Sequence, residues 1–220
     1  MIAYELLTEE IPPLKHTDTG ETALLWMEEF KVAHLPVIKN DNFVGVVSEN
    51  DLLDQSDLTI SLDEMFQHLP RPYVFKNAHI YEVLWRIHQS KITVLPILDE
   101  DEKYLGCTSV LEIMKYFAET GGIKEPGGIL ELEMNQQDYS LAQIAQIVES
   151  NNARILSSYI SAVPDSTLIR VTLKINETEL SSIIRTFERY DYIISATYQK
   201  SDVQDDLKNR FDSLMFYLNF

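Results

Sequence analysis

Two short motifs carry the side chains of this chain that are best suited to bind a ligand. Ser48 and Asp51 stand three residues apart after a glycine, and Ser109 and Glu112 repeat that spacing. A hydroxyl followed three residues later by a carboxylate is also the pattern that caps the first turn of a helix, which needs no ligand. On the residues alone, ligand binding and helix capping both remain open at these two positions.

The residue types that usually carry catalysis are not arranged for it. The five histidines (16, 34, 68, 79 and 88) do not combine a metal-ligand spacing with a carboxylate partner. The single cysteine, Cys107, lies in a predicted buried strand, where an inert core thiol is expected. The chain contains no P-loop, dinucleotide fingerprint or nucleophile elbow. We therefore predict that it is not an enzyme and requires no cofactor.

Composition limits the partners. The chain has 220 residues, of which 45% are hydrophobic, and a formal net charge of −17. That composition is typical of a soluble globular protein, and the negative charge repels nucleic-acid backbones and anionic lipid surfaces. The sequence shows neither a membrane-spanning run nor a signal peptide at its start. We expect a cytoplasmic protein that binds a small molecule or another protein.

The first half of the chain contains an internal repeat. The segment HLPVIKNDNFVGVVSENDLL (34–53) reappears as VLPILDEDEKYLGCTSVLEIM (94–114), with one extra residue in the second turn. Upstream, Trp26 is paired with Trp85 and Pro13 with Pro72. Each copy predicts a short strand, an amphipathic helix, two strands and a second helix. A βαββα unit of this size cannot bury both of its faces, so we expect the two copies to pack sheet to sheet.

This repeat resembles a tandem CBS-domain pair over about residues 1–120. In that family a Leu/Ile-Pro-Val strand is followed by Gly, two apolar residues, Ser or Thr and, three residues later, Asp. The first copy (about 11–56) fits fully, from Leu35-Pro36-Val37 to Asp51. The second copy (about 70–120) departs from the pattern at Ile97 and Glu112. The resemblance predicts an α+β fold.

The resemblance also implies an adenine-containing ligand such as AMP, ADP, ATP or S-adenosylmethionine. Asp51 would accept the ribose hydroxyls beside Ser48, with a weaker equivalent at Ser109 and Glu112. Residues near the Leu-Pro strands would form the adenine face, and Thr17 and Asn77 would lie near the ribose or phosphate. The residues of the adenine face are Ala33, His34, Leu35, Pro36, Ile92, Thr93, Val94 and Pro96. Sheet core and helix capping are the alternative roles for these positions.

The phosphate of such a ligand would need basic side chains near the cleft. The basic candidates are Lys15, His16, Lys76, Arg86 and His88. Because this half of the chain is acidic, a nucleoside, a monophosphate or S-adenosylmethionine suits its charge better than free ATP.

The second half is a different unit. Glycines concentrate in 121–128, which marks a linker. Residues 129–200 then predict a βαββαβ order, typical of a ferredoxin-like domain. After a CBS pair this resembles an ACT-type domain, and the combination resembles CBS–ACT proteins of the acetoin-utilisation type. Many amino-acid-binding ACT domains have Asp-x-Pro-Gly after the first strand, but residues 135–140 contain neither Pro nor Gly. We therefore expect this domain to pair subunits.

Residues 201–220 predict an amphipathic helix with Val203, Leu207, Phe211, Leu214 and Leu218 on one stripe. It would pack on its own domain or form a subunit contact. Taken together, the sequence predicts a regulatory homodimer that pairs through the CBS helices near Trp26 and Trp85 and senses an adenine ligand. The alternative is an assembly protein with empty CBS clefts that recruits a partner.

Overall fold

The computed structural model describes residues 1–199 and separates the chain into two compact units, residues 1–116 and residues 117 onward. The predicted boundary was near residue 120. The observed boundary, between residues 116 and 117, falls within the helix that runs from Val110 to Glu119. The predicted helix over 201–220 lies outside the described residues.

The first unit contains the two predicted βαββα repeats. The first repeat consists of β1 (Leu14–Lys15), α1 (Gly20–Phe30), β2 (His34–Lys39), β3 (Asn42–Ser48) and α2 (Glu49–Leu53). A short helix, α3 (Leu62–Met65), lies between the repeats. The second repeat consists of β4 (Val74–Phe75), α4 (Ile80–Ser90), β5 (Val94–Leu98), β6 (Tyr104–Ser109) and α5 (Val110–Glu119).

Each repeat forms a three-stranded sheet with its Leu-Pro strand in the centre. The orders are β1-β2-β3 and β4-β5-β6, with the first pair of each sheet parallel and the second antiparallel. The sheets share a core, since Leu35 of β2 belongs to the same buried cluster as Val94 of β5 and Cys107 of β6. Phe43 and Val46 likewise pack with Leu98 of the other repeat. The predicted packing of the two repeats against each other is confirmed.

The structural register of the repeats corrects one sequence alignment. From β1 to β5 the equivalent elements are offset by 60 residues, and α1 and α4 both end at a lysine with left-handed backbone, Lys31 (φ 56°) and Lys91 (φ 54°). Trp85 is therefore equivalent to Leu25, and the two are 63% and 62% exposed. Trp26, which packs on the core, is instead equivalent to Arg86. The alignment of Trp26 with Trp85 was wrong because matching residue types outweighed the helical phase.

A glycine in each repeat admits a neighbouring segment of the chain. A Cβ at Gly45 would lie 2.5 Å from Leu69 Cβ and 2.8 Å from the Pro70 carbonyl oxygen, and the Val46 N–H donates to that oxygen over 2.9 Å. At Gly106 the neighbour is Leu7 of the N-terminal segment. These glycines therefore allow close backbone packing of the protein itself.

The second unit has the predicted βαββαβ order. Its elements are β7 (Gly128–Asn135), α6 (Leu141–Ser150), β8 (Ile155–Ala162), β9 (Leu168–Ile175), α7 (Ser181–Arg189) and β10 (Ile193–Tyr198). The strands form an antiparallel sheet in the order β10-β7-β9-β8. One face of the sheet and the two helices enclose a core that includes Leu132, Val171 and Phe187.

Candidate functional site

The first repeat contributes its Ser-x-x-Asp motif to a cleft of about 500 Å³. This volume lies in the range of small-molecule sites. Four predicted site residues line it, namely His34, Ser48, Asp51 and Ile92. The remaining lining residues are Val46, Pro70, Arg71, Pro72, Arg86, Gln89 and Ser90. The first cleft is thus built from the end of β3 in one repeat and from α4 and its flanks in the other.

Ser48 and Asp51 form a helix cap that leaves part of the carboxylate available. The Ser48 hydroxyl accepts the Asp51 N–H over 3.1 Å and donates to Asp51 Oδ2 over 2.6 Å. Within the described part of the chain, Asp51 Oδ1 makes no hydrogen bond. The capping role and a binding role are therefore compatible, because a carboxylate accepts about four hydrogen bonds in total.

The imidazole of His34 is hydrogen-bonded to Thr93 of the second repeat. The Thr93 N–H donates to His34 Nδ1 over 3.3 Å, and the Thr93 hydroxyl lies 3.2 Å from the same nitrogen. That hydroxyl also accepts the Ala33 N–H over 3.0 Å. Burial lowers the pKa of His34, and the negative charges of Asp51 and Glu49 partly oppose this effect.

Two arginines give the first cleft its positive charge. Arg71 donates to Glu102 Oε2 over 3.3 Å and to the Phe43 carbonyl over 3.4 Å, so its charge is partly compensated. Arg86 forms no ion pair within residues 1–199, and its buried Nε has no hydrogen-bond partner there. Because Arg86 lines the first cleft, its guanidinium charge is placed to bind an anionic oxygen there.

The second repeat forms an equivalent cleft of different chemistry. Its volume is about 460 Å³, and Ser109, Glu112 and Thr93 line it. Ser109 caps α5 by accepting the Glu112 N–H over 3.2 Å, while Glu112 Oε1 pairs with Lys115 over 2.6 Å. The other polar lining residues are Thr8, Glu10, Glu29 and Lys31. The apolar lining residues are Ile11, Phe30, Val32, Val110, Leu111 and Met114.

Several predicted site residues lie elsewhere. Leu35, Pro36, Val94 and Pro96 are buried in the sheets, where they form the core. A ligand cannot reach them, because both faces of each central strand are covered by other parts of the protein. Thr17 and Asn77 are exposed in the turns before α1 and α4, and neither lines either cleft.

Sequence reasoning found one of the two arginines. Of the five basic candidates for a phosphate, only Arg86 lines the first cleft, and Lys76 instead lies 3.7 Å from Glu100. Arg71, Gln89 and Ser90 were missed. Arg71 lies in the segment between the repeats, and the packing of that segment on Gly45 places it at the cleft.

Other potential reactive groups are accounted for by the core. Cys107 is fully buried, as predicted, and burial raises the pKa of its thiol to about 11. Among residues 1–199, no group of three His, Cys, Asp or Glu side chains could hold a metal ion. Over the same residues, every helix is too short or too polar to cross a bilayer.

Comparison with known proteins agrees with the repeat. Residues 3–57 and 66–119 each match the CBS domain family. Residues 3–119 form a tandem CBS domain pair. Over 98 residues the chain is 30% identical to the uncharacterized protein MJ1232 of Methanocaldococcus jannaschii, a match covering 43% of this chain and 32% of that protein. The chain thus matches about a third of the length of this curated relative.

Two solved structures are similar to part of this chain. A CBS domain pair/ACT domain protein from Thermotoga maritima has a TM-score of 0.48 and 25% identity, covering 54% of this chain and 98% of that one. A putative acetoin utilization protein from Vibrio cholerae has a TM-score of 0.48 and 22% identity, covering 54% and 91%.

The second unit has a smaller cavity of about 280 Å³ at the end of β7. Asn135, Asp138, Gln143 and Tyr192 line it, and the Tyr192 hydroxyl lies 3.0 Å from Gln143 Oε1. The loop that sequence analysis compared with the Asp-x-Pro-Gly motif forms a short 3-10 turn, Gln136–Asp138. Ser140 caps α6 by accepting the Gln143 N–H over 3.3 Å, as its spacing predicts.

Proposed function

We propose that this CBS pair is a non-catalytic sensor whose first cleft binds an adenine nucleotide, with AMP as the best match. The observation that carries the proposal is the presence, in one cleft, of an available Asp51 oxygen and of the Arg86 guanidinium, which forms no ion pair among the described residues. A carboxylate accepts ribose hydroxyls, and a guanidinium binds a phosphate.

Charge favours a monophosphate over a longer nucleotide. The cleft contains Arg71 and Arg86 against Asp51, and Glu102 already pairs with Arg71. Arg86 is therefore the one arginine of the cleft without a carboxylate partner among the described residues, which suits a single phosphate, whereas the chain as a whole carries −17 and repels a triphosphate. The ligand series AMP, ADP, ATP and S-adenosylmethionine tests this order directly.

Isothermal titration calorimetry with the full chain tests the binding. We expect AMP to bind at one site, and Asp51→Asn to weaken it at least tenfold because the ribose loses a charged acceptor. Glu112→Gln is the matched control, since it alters the equivalent position of the second cleft, and should leave the affinity within twofold. AMP at 100 times its dissociation constant should stabilise the protein by about 2.7 kcal/mol.

Two results would contradict the proposal. If none of the four ligands binds, the protein is an assembly module with empty clefts. If Glu112→Gln removes binding while Asp51→Asn does not, the nucleotide occupies the second cleft.

We further propose that the CBS pair forms homodimers through its helices. Apolar side chains on these helices are left exposed, namely Leu25, Leu53, Tyr81, Trp85, Leu111 and Met114. Light scattering should give twice the mass of one chain, and Trp85→Glu should shift the protein toward monomer because it places a charge in the apolar face. A monomeric wild type would exclude this arrangement.

The second unit, in this proposal, is an ACT-like domain that receives the signal. Its βαββαβ order and the preceding CBS pair support this assignment. Hydrogen–deuterium exchange of the full chain should change in the first cleft on adding AMP, and also over residues 128–198. A change confined to residues 34–92 would exclude signalling to this domain while leaving AMP binding intact.

A further inference from the structure

The contact between His34 and Thr93 connects the two clefts. His34 lines the first cleft and Thr93 lines the second, although the two residues are bonded to each other. They belong to different repeats and are 59 residues apart. The equivalent pair in the opposite direction would be Val94 and Ala33, which have no polar side chains. The side-chain contact made by His34 at the first cleft therefore has no equivalent at the second cleft.

The hydrogen bonds determine where the imidazole proton resides. The Thr93 N–H can only donate, so His34 Nδ1 accepts over 3.3 Å. The Thr93 hydroxyl accepts the Ala33 N–H over 3.0 Å, which leaves its own proton free to be donated to Nδ1 over 3.2 Å. Two donors converge on Nδ1, so the proton of the neutral ring resides on Nε2.

We propose that Thr93 is a positioning residue that fixes His34 in the Nε2–H tautomer, so that the first cleft presents a hydrogen-bond donor at this position. The lowered pKa of His34 supports a neutral ring near pH 7. With Nδ1 occupied by Thr93, Nε2 is the ring nitrogen left for a ligand. Its N–H complements an acceptor, such as a ring nitrogen of a nucleobase or a phosphate oxygen. This use in binding rests on the proposed function, whereas the tautomer itself does not.

Nitrogen NMR of the full chain, labelled with 15N-histidine and without ligand, tests the tautomer. His34→Gln identifies the His34 signals by their loss. We expect wild-type His34 to show a single Nε2–H tautomer at pH 7.5. Thr93→Val removes the hydroxyl donor but keeps the backbone donor, so it should add a minor Nδ1–H population to the spectrum, while Thr93→Ser, which retains the hydroxyl, should restore the wild-type spectrum. Thermal melts verify that each variant is folded.

Affinity provides the second readout. Thr93→Val should weaken AMP binding about fivefold, the effect of one neutral hydrogen bond, and Thr93→Ser should stay within twofold. A wild-type Nδ1–H tautomer, or a Thr93→Val spectrum identical to wild type, would overturn the proposal. Unchanged AMP affinity in folded Thr93→Val would remove its role in binding. Because the spectra need no ligand, failure of AMP to bind at all would count against the proposed function and leave the tautomer result intact.

Discussion

The two clefts of the CBS pair arise from the same repeat, yet they differ at nearly every position that could contact a ligand. Arg71 in the first corresponds to Ile11 in the second, and Ser90 to Phe30. The first has arginines around an aspartate, whereas the second combines Glu10, Glu29 and Glu112 with apolar residues. The shared framework is the serine cap before each closing helix. Duplication therefore preserved the fold of the cleft while its chemistry diverged.

The largest expected effect concerns the segment that covers the first cleft. Gly45→Ala should lower the free energy of unfolding by about 2–3 kcal/mol, because its Cβ would collide with Leu69 and the Pro70 carbonyl. It should also weaken AMP binding, because displacing Pro70 moves the adjacent Arg71, which lines the first cleft. Urea denaturation and calorimetry measure both. Gly106→Ala is the comparison: it meets the flexible end of Leu7 and strains the backbone at φ 150°, so it should also destabilise the protein but leave AMP affinity unchanged. Equal AMP affinity in both variants would contradict the placement of Arg71.

The second prediction separates the charges of the clefts. Arg86→Gln should weaken AMP binding at least tenfold, because a phosphate oxygen loses its charged donor. The affinity for adenosine, which has no phosphate, should stay within twofold. Lys31→Gln, which removes the cation of the second cleft, is the matched control and should change neither. Titration calorimetry with both ligands measures these values. A parallel loss of AMP and adenosine would assign Arg86 to folding of the site.

The serine caps provide a smaller and symmetrical test. Ser48→Ala and Ser109→Ala should each cost about 1 kcal/mol of stability, because each leaves an N–H of the first helical turn without its acceptor. Only Ser48→Ala should also weaken AMP binding, because the Ser48 hydroxyl orients the Asp51 carboxylate. Denaturant melts with and without AMP measure both effects. If Ser109→Ala weakened AMP equally, the two clefts could not be functionally distinct.

The smallest effect is a pH dependence confined to the first cleft. Burial lowers the pKa of His34, so the unfolded chain binds a proton at a higher pH than the folded protein does. As pH falls below the usual histidine pKa of about 6.5, His34 should therefore reduce stability, and above that range it should have no effect. Melts of wild type and His34→Gln from pH 5 to 8 measure this contribution by difference. Parallel curves for the two proteins would contradict it.

Much of the fold could be predicted because it depends on local patterns. The repeated Leu-Pro strand and the Ser-x-x-Asp/Glu cap are contiguous, and they located β2, β5 and the starts of α2 and α5 within a residue. The helical phase was predicted less well. Trp26 and Trp85 were aligned by residue type, although Trp26 packs on the core and Trp85 is 63% exposed. A second tryptophan one position away is a weaker indicator than the burial period of the helix.

The site was predicted in part. Ser48, Asp51, His34 and Ile92 line the first cleft, whereas Leu35 and Val94 belong to the core. Residues that line the cleft and residues of the core are neighbours in sequence along these strands. The sequence pattern therefore cannot distinguish the two groups. Arg71 was missed because it lies in an irregular segment without a repeat motif.

The sequence alone determined the duplication, the order of elements and the capping motifs, because each depends on residues close together in the chain. Tertiary structure decided which residues share a cleft. It brought Arg71 to Phe43 and Thr93 to His34, contacts that join residues 28 and 59 positions apart. Such contacts depend on how two sheets pack, and no local periodicity encodes that packing.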